Sequence, residues 1–352
     1  MKRVLKFVGL IVGAVLLGGV LFFFWASAGR LSEAELTQTE TYAADPAAPD
    51  RDTLTVMTYN IGFLSGMTNN KPVVRSESLF TANMSRAVDL FRAVNPGVVG
   101  LQEVDYGSAR SFYARQLDTL ATRLGYTAAA RAVNWDVRYL PFPYGWPAVH
   151  YGRVLSGQSV LSRFPIRQHR RYVLPRPPQS FYRSAFYLDR LAQAVLIDVG
   201  GRPLVILNVH LEAYHDSTRE RQARVVRAIY DSVAQPGVPV FLLGDFNSEV
   251  AASDDATMDL LLDETDLRPV RDRADSTAST YPAADPTKNI DHILYRPSFI
   301  TPVATSVRCG PPAHPPSDHC AVAVSAVLAP AGAKAPPTDS LRSIFPPADA
   351  LP

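Results

Sequence analysis

The stretch that most constrains this chain is Val238–Ser248, VPVFLLGDFNS. An unbroken apolar run with Pro-Gly before it and Asp-Phe-Asn after it reads as a strand buried on both faces, so it needs a packed layer on each side. Its polar tip is where chemistry is expected. Asp245 and Asn247 lie two apart, and in extended backbone both side chains would point the same way, toward one ligand or phosphate. The plainer reading of that tip is an Asx-rich turn that closes the strand.

From Thr53 onward the chain supplies companions for this strand. Leu54–Tyr59 alternates as a strand and stops at Asn60-Ile61-Gly62. Met84, Ala87, Val88, Phe91 and Val94 share one face of a helix over Ser78–Asn95, closed by Asn95-Pro96-Gly97. Val98–Leu101 follows as a buried strand delivering Gln102 and Glu103. Tyr113, Leu117, Leu120 and Leu124 then mark a second amphipathic helix, with Gly125 at its C-terminal cap. Further strands are expected at Ser159–Ser162, Ala192–Asp198, Leu204–His210, Asn289–Leu294, Val303–Cys309 and Cys320–Leu328. Ser217-Thr218-Arg219-Glu220 reads as a capping box that opens a helix running to Ala234. Many strands and few helices point to an α/β sandwich of packed sheets rather than a doubly wound parallel sheet.

With 47% hydrophobic and 19% charged residues in 352, the composition fits one large domain with appendages. The net charge of +2 owes part of its excess to the extreme N-terminus, so no global polybasic footprint for nucleic acid is visible. Cys309 and Cys320 are the only cysteines, which argues against a thiolate zinc site. Lys2, Arg3 and Lys6 precede an apolar run from Phe7 to Ala28, long enough to cross a hydrocarbon core of roughly 30 Å. Residues 1–6 are expected to stay in the cytoplasm and residues 7–28 to form a single-pass cell-membrane anchor, with the catalytic domain extracytoplasmic. Ala26-Ser27-Ala28 also resembles a signal-peptidase site, and cleavage there would make the protein secreted; the length of the apolar run favours an anchor. Residues 29–52 read as a linker, 53–328 as the domain and 329–352 as a disordered Pro- and Ala-rich tail. A monomer is expected.

The chemistry-bearing residues gather at strand ends: Asn60, Glu103, Asn208 with His210, Asp245 with Asn247, and Asp291 with Asp318-His319. Each alone has an ordinary reading as a turn former or hydrogen-bonded filler. Together they offer oxygen ligands for a hard divalent cation and imidazoles that exchange protons near neutral pH. The blocks TYNIG, LQEVD, LNVHLEA, LLGDFNS, NIDHIL and SDHC, in that order, resemble the signature blocks of the endonuclease/exonuclease/phosphatase superfamily, over Thr53 to Leu328. That resemblance implies a four-layer αββα sandwich of two mixed sheets and a metal-dependent hydrolase acting on phosphoester bonds. It implies Asn60, Glu103 and Asp318 as ligands of Mg²⁺, with Mn²⁺ or Ca²⁺ as alternatives. It further implies His319 as general base oriented by Asp291, and Asp245 positioning the attacking water. Asn247 would bond the phosphoryl oxygens, His210 would serve the leaving-group side as acid or charge stabiliser, and Asn208 would support substrate binding. Two positions depart from the pattern. Gln158 stands where relatives carry Asn, and His292 stands where Tyr is common and reads as a packing residue.

Two stretches bear on the substrate. Val137–Arg153 is rich in Pro and aromatic residues, suited to packing on the domain, to walling a site or to a lipid interface. Arg163, Arg167, Arg170, Arg171, Arg176 and Arg183 form either a solvated face or an anion-recruiting one. The favoured expectation is a membrane-tethered phosphodiesterase or phosphatase acting on a lipid head group or small phosphoester. An exported endonuclease or exonuclease acting on DNA or RNA is the alternative, and an inactive binding module the second alternative. In an oxidising compartment Cys309 and Cys320 could join in a disulfide closing the loop that holds Pro315–His319; the other reading is two buried thiols.

Overall fold

The computed structural model describes residues 1–43, 53–250, 255–263, 265–271, 279–328, 341 and 344–351. Two sheets face each other. The first runs β1 (Thr37–Thr41), β4 (Ala128–Leu140), β5 (Gly152–Ser162), β3 (Val98–Asp105), β2 (Thr53–Asn60), β13 (Ala321–Leu328) and β12 (Ile300–Arg308). The second runs β10 (Arg268–Pro269), β11 (Asp291–Tyr295), β9 (Val240–Asp245), β8 (Arg202–His210), β7 (Leu191–Val199) and β6 (Ile166–Val173). Both are mixed: β2 pairs with β3 in parallel and β8 with β9 in parallel, while β13 and β11 run antiparallel beside them. A parallel pair needs a crossover, and the helices that supply it, α2 (Glu77–Val94) and α5 (Asp216–Val233), cover the outer faces. The short helix α3 (Gln116–Leu124) packs beside α2. This is the expected αββα sandwich.

The period-2 pattern explains the layering. Phe241 and Leu243 of β9 join Val56, Val98, Ile206 and Val322 between the sheets. Val240 and Leu242 point the other way, to Val226 and Ile229 of α5. With both faces buried, β9 has to be apolar at every position, and each large side chain contributes roughly 1.5–3 kcal/mol. Met57 and Tyr59 of β2 likewise meet Phe91 of α2 and Leu120 of α3. Ser76 caps α2, accepting from the Leu79 amide at 3.3 Å, and Asn95 ends it in the left-handed region at φ 52°. Gly125, at φ 68°, caps α3 as anticipated.

Several elements depart from expectation. The cap of α5 is His215, which accepts from the Thr218 amide, so the helix starts ahead of the Ser217 capping box. Within the anticipated linker, Thr37–Thr41 forms β1, because β4 presents an edge to which its backbone hydrogen-bonds; residues 44–52 lie outside the described residues. Most of the anticipated tail also lies outside them. Leu341, Ile344 and Phe345 are buried against the core of the second sheet, so this part of the tail is ordered by apolar packing. Phe345 and Pro346 carbonyls accept from Arg170 Nη1, and Pro346 also from Tyr172 Oη. Cys309 and Cys320 are joined in a disulfide.

The N-terminal helix α1 (Lys2–Ser27) is long and apolar enough to cross a membrane, as a signal sequence is too.

Candidate active site

The topology brings the chemistry to one edge. Parallel strands end together, so Asn60 and Glu103 lie side by side at the end of the β2–β3 pair, and His210 lies opposite Asp245 at the end of β8–β9. Antiparallel strands begin where these end: Asp291 pairs in register with Asp245, and Asp318-His319 lead into β13 beside β2.

Local backbone aims each group. Glu103 has φ 53°, left-handed, where the β3–β5 register slips between Leu101 and Val104. Such a bulge turns a side chain out of the pleat. Gly62 has φ 51°, and a Cβ there would come within 2.5 Å of Asp318 Oδ1, so a larger residue would push that carboxylate away. Asn247 is also left-handed, at φ 50°, and its amide donates to Asp245 Oδ1 at 2.9 Å. The two are therefore joined by an Asx turn and do not share one face of an extended strand, because the strand ends at Asp245.

The groups fall into two sets. In the first, Asn69 Nδ2 lies 2.9 Å from Glu103 Oε2 and 3.3 Å from Asp318 Oδ2, so two carboxylates crowd one amide. Burial, then the Asp318 charge, raises the Glu103 pKa above its ordinary value. Asn69 Oδ1 is buried with no partner among the described residues. In the second set, His319 Nδ1 lies 2.9 Å from Asp291 Oδ2, and its Nε2 lies 3.8 Å from Asp245 Oδ2. Burial opposes the charged imidazole, yet the Asp291 and Asp245 carboxylates together hold its pKa well above the ordinary value. The ring of Tyr281 packs against it at 4.9 Å. Asn60 joins the sets: its Nδ2 donates to Asp245 Oδ2 at 2.9 Å and lies 3.5 Å from His319 Nε2. Burial pushes Asp245 up to about 7, with His319 opposing and Asp291 adding to the rise.

His210 lies on the far side of Asp245, its Nε2 3.4 Å from Oδ2. Arg190 Nη1 donates to that same nitrogen. Burial first, then the Arg190 and His319 charges, keep the His210 pKa well below the ordinary value, so the ring is a neutral acceptor rather than a charged acid.

Hard oxygen donors suit a divalent cation, and two clusters offer them. Glu103 and Asp318 surround Asn69; Asp245, Asp291 and His319 bring ligand atoms within 4.8 Å of one another.

The model of the Endonuclease/Exonuclease/phosphatase family matches residues 57–319. The chain belongs to that family. Solved structures share its fold at low identity. An endonuclease/exonuclease/phosphatase from Beutenbergia cavernae DSM 12333 is 24% identical, covering 80% of this chain and 73% of that one, with a TM-score of 0.57. Truncated TDP2 of Caenorhabditis elegans is 17% identical over 78% of this chain and 97% of that one, TM-score 0.53. The human Nocturnin catalytic domain with bound sulfate anion is 17% identical over 83% and 97%, TM-score 0.55. No curated protein matches the chain.

Of the positions expected from the family resemblance, Asn60, Glu103, His210, Asp245, Asn247, Asp291, Asp318 and His319 meet at this edge. Asn208 lies between the sheets instead. It is fully buried; its Nδ2 donates to Leu101 O, Ser159 O and Gln193 Oε1, and its Oδ1 accepts from Gln102, so it ties the two sheets together. Gln158 is likewise interior, its Nε2 donating to Asn208 O at 2.7 Å. His292 is a packing residue, bonded to Ser248 O at 2.9 Å and set against Phe246. Sequence reasoning missed Asn69, Arg190 and Tyr281. Arg190 carried a legible signal, a charge at the threshold of the apolar run Leu191–Val199.

Proposed function

We propose that this protein is a membrane-tethered, divalent-metal-dependent phosphoesterase whose catalytic domain lies outside the cytoplasm. The observation that carries the reading is the pairing in one cleft of two crowded carboxylates, Glu103 and Asp318, with an Asp291-bound imidazole, His319.

Glu103 and Asp318, with Asn60 beside them, would hold the cation, Mg²⁺ by the hardness of its donors. Asn69 Oδ1 is a further oxygen at hand. The Asp245–Asp291–His319 cluster is less suited, because Asn60 and Asn247 bond both Asp245 oxygens and His319 bonds Asp291 Oδ2, which leaves Asp291 Oδ1 as its one carboxylate oxygen unpartnered among the described residues. When bound, the cation supplies charge neutralisation at the phosphoryl oxygens. Asp291 orients His319 through Nδ1, so that its neutral form, reached above the raised pKa, presents Nε2 to take a proton from water held by Asp245. Asn247 spends one amide hydrogen on Leu211 O, which leaves the second for a phosphoryl oxygen. Arg190 takes the cationic part on the leaving-group side, with neutral His210 positioning it.

The basic flank Lys2, Arg3 and Lys6 supports an N-terminus inside. The Cys309–Cys320 disulfide fits an oxidising compartment for the domain.

For the substrate we favour a lipid head group or other small phosphodiester or phosphomonoester over nucleic acid. Five of the six arginines that would recruit a polyanion are engaged within the fold: Arg163 with Asn95, Arg167 with Asp198, Arg176 with Asp189, Arg170 with Phe345 and Pro346 carbonyls, and Arg171 with Val133 O. The test is a Mg²⁺-supplemented hydrolysis screen of the full chain over phospholipids, sphingomyelin, inositol phosphates, DNA and RNA, with His319→Ala as control. Head-group release that needs His319 is the expected result. Turnover confined to DNA or RNA would replace the substrate, and no turnover above the control would overturn the enzyme.

A further inference from the structure

The base of α1 is fixed to the domain. Ala26 is fully buried, the Arg30 and Leu31 amides donate to Asp136 Oδ2 at 2.6 and 2.8 Å, and the Arg138 amide donates to Ala28 O at 3.2 Å. Phe22 meets Tyr139 edge-on at 5.8 Å, and Phe23 meets both Phe181 and Phe186, at 6.0 and 5.5 Å. Around this junction lie large aromatic side chains open to water: Tyr144 is 75% exposed, Trp146 83%, Phe181 77% and Tyr182 52%. The loop carrying the first two is tied in through His150, which bonds Tyr139 Oη at 2.8 Å and Gly145 O at 3.1 Å.

Scattered exposed aromatics need no explanation, but a set of them grouped around the root of an apolar helix does. Trp and Tyr settle at the head-group level of a bilayer, where one end of the ring is apolar and the other wet. Phe22 to Ser27 is five residue steps of helix, about 7.5 Å, so a bilayer that takes up the apolar run of α1 begins at this surface.

Both aromatic segments also lead into the cleft. Beyond the loop, Tyr151 Oη bonds Asn70 at 3.1 Å, and the next residue back, Asn69, holds Glu103. Beyond the short helix α4 (Phe181–Ser184), Tyr187 donates to Glu212, which lies 3.8 Å from Arg190 Nε.

We infer that Tyr144, Trp146, Phe181 and Tyr182 form a collar that seats in the interfacial layer of the bilayer crossed by α1, setting the mouth of the catalytic cleft among lipid head groups. The domain is thereby docked on the membrane and does not swing on a tether. This rests on the anchored reading of α1 proposed above. Continuity with α1 argues for lipid as the occupant; a second copy of the chain is the competing one.

The test uses the full chain carrying Trp25→Phe, so that Trp146 and the buried Trp135 are the remaining tryptophans. It is reconstituted in vesicles of phosphatidylcholine, phosphatidylglycerol and sphingomyelin, with the phosphatidylcholine brominated either near the head group or near the chain end. Shallow bromine should quench the Trp146 emission roughly twofold more than deep bromine. A parallel variant, Tyr144→Ser/Trp146→Ser/Phe181→Ser, should release head groups from these vesicles roughly tenfold more slowly while hydrolysing soluble bis(p-nitrophenyl) phosphate at the wild-type rate. Emission unquenched at either depth, or a collar-mediated dimer in the vesicle, would overturn the docking alone. Release of the protein by alkaline carbonate would overturn the anchor and the docking with it. If the wild type hydrolyses neither probe, the proposed activity fails, and Trp146 quenching still decides the docking.

Discussion

The cleft holds two pairs of carboxylates that live differently. Glu103 and Asp318 crowd a single amide from Asn69, and nothing positive lies in contact with them among the hydrogen bonds and ion pairs of the described residues. Asp291 and Asp245 face an imidazole, His319, at 2.9 and 3.8 Å. Burial and then the Asp318 charge raise the Glu103 pKa, while in the second set burial raises that of Asp245 against the pull of His319, and the two carboxylates raise that of His319. The first pair thus has no basic side chain among its hydrogen-bond and ion-pair partners in the described residues, and the second has an imidazole. On the proposed reading, the first set would take the cation and the second would supply the base that hydrolysis of a phosphoester requires.

The sharpest way to break this contrast is His319→Ala, which should lower the rate of bis(p-nitrophenyl) phosphate hydrolysis roughly a thousandfold or more and leave the Mg²⁺ dependence in place. Glu103→Gln should act on the other side, raising the Mg²⁺ concentration for half-maximal rate by roughly a hundredfold. In EDTA the same variant should melt at a higher temperature than the wild type, because it relieves the repulsion from Asp318. A lower melting temperature would mean that Glu103 is already balanced within the protein.

The two sides meet at Asp318-His319, in the loop closed by the Cys309–Cys320 disulfide at a sequence separation of 11. Cys309→Ser/Cys320→Ser should cost about 3 kcal/mol in chemical denaturation. His169 supplies the comparison without carboxylates. Buried beside Gln193, it has its pKa lowered to about 4 by burial. Its folded pKa lies below the unfolded value of about 6.5, so the unfolded chain binds the proton first as pH falls. Stability should fall between pH 6.5 and 4 by up to about 3 kcal/mol from this group, and His169→Gln should flatten that part of the curve.

How much of this was legible in the sequence follows from physical cause. β9 was legible because burial on both faces leaves an unbroken apolar run. β4 was not: AAARAVNWDVRYL is rich in Ala, a weak strand former, and the strand exists because β5 and β1 pair with its two edges. The site residues at strand ends were legible because strand direction alone brings them together. Their bonding was not. The Asx turn separating Asn247 from the strand, and the inter-sheet ladder that absorbs Asn208, depend on contacts far apart in sequence. Asn69 reaches the cleft through tertiary packing that no local pattern announces.

The most direct test of the central claim is a Mg²⁺ titration of the EDTA-treated full chain, read as bis(p-nitrophenyl) phosphate hydrolysis, for wild type, Glu103→Gln and His319→Ala together. The account predicts a split: Glu103→Gln shifts the Mg²⁺ midpoint, and His319→Ala lowers the plateau while keeping the midpoint. A wild-type rate indifferent to Mg²⁺, or a His319→Ala plateau equal to that of the wild type, would contradict it.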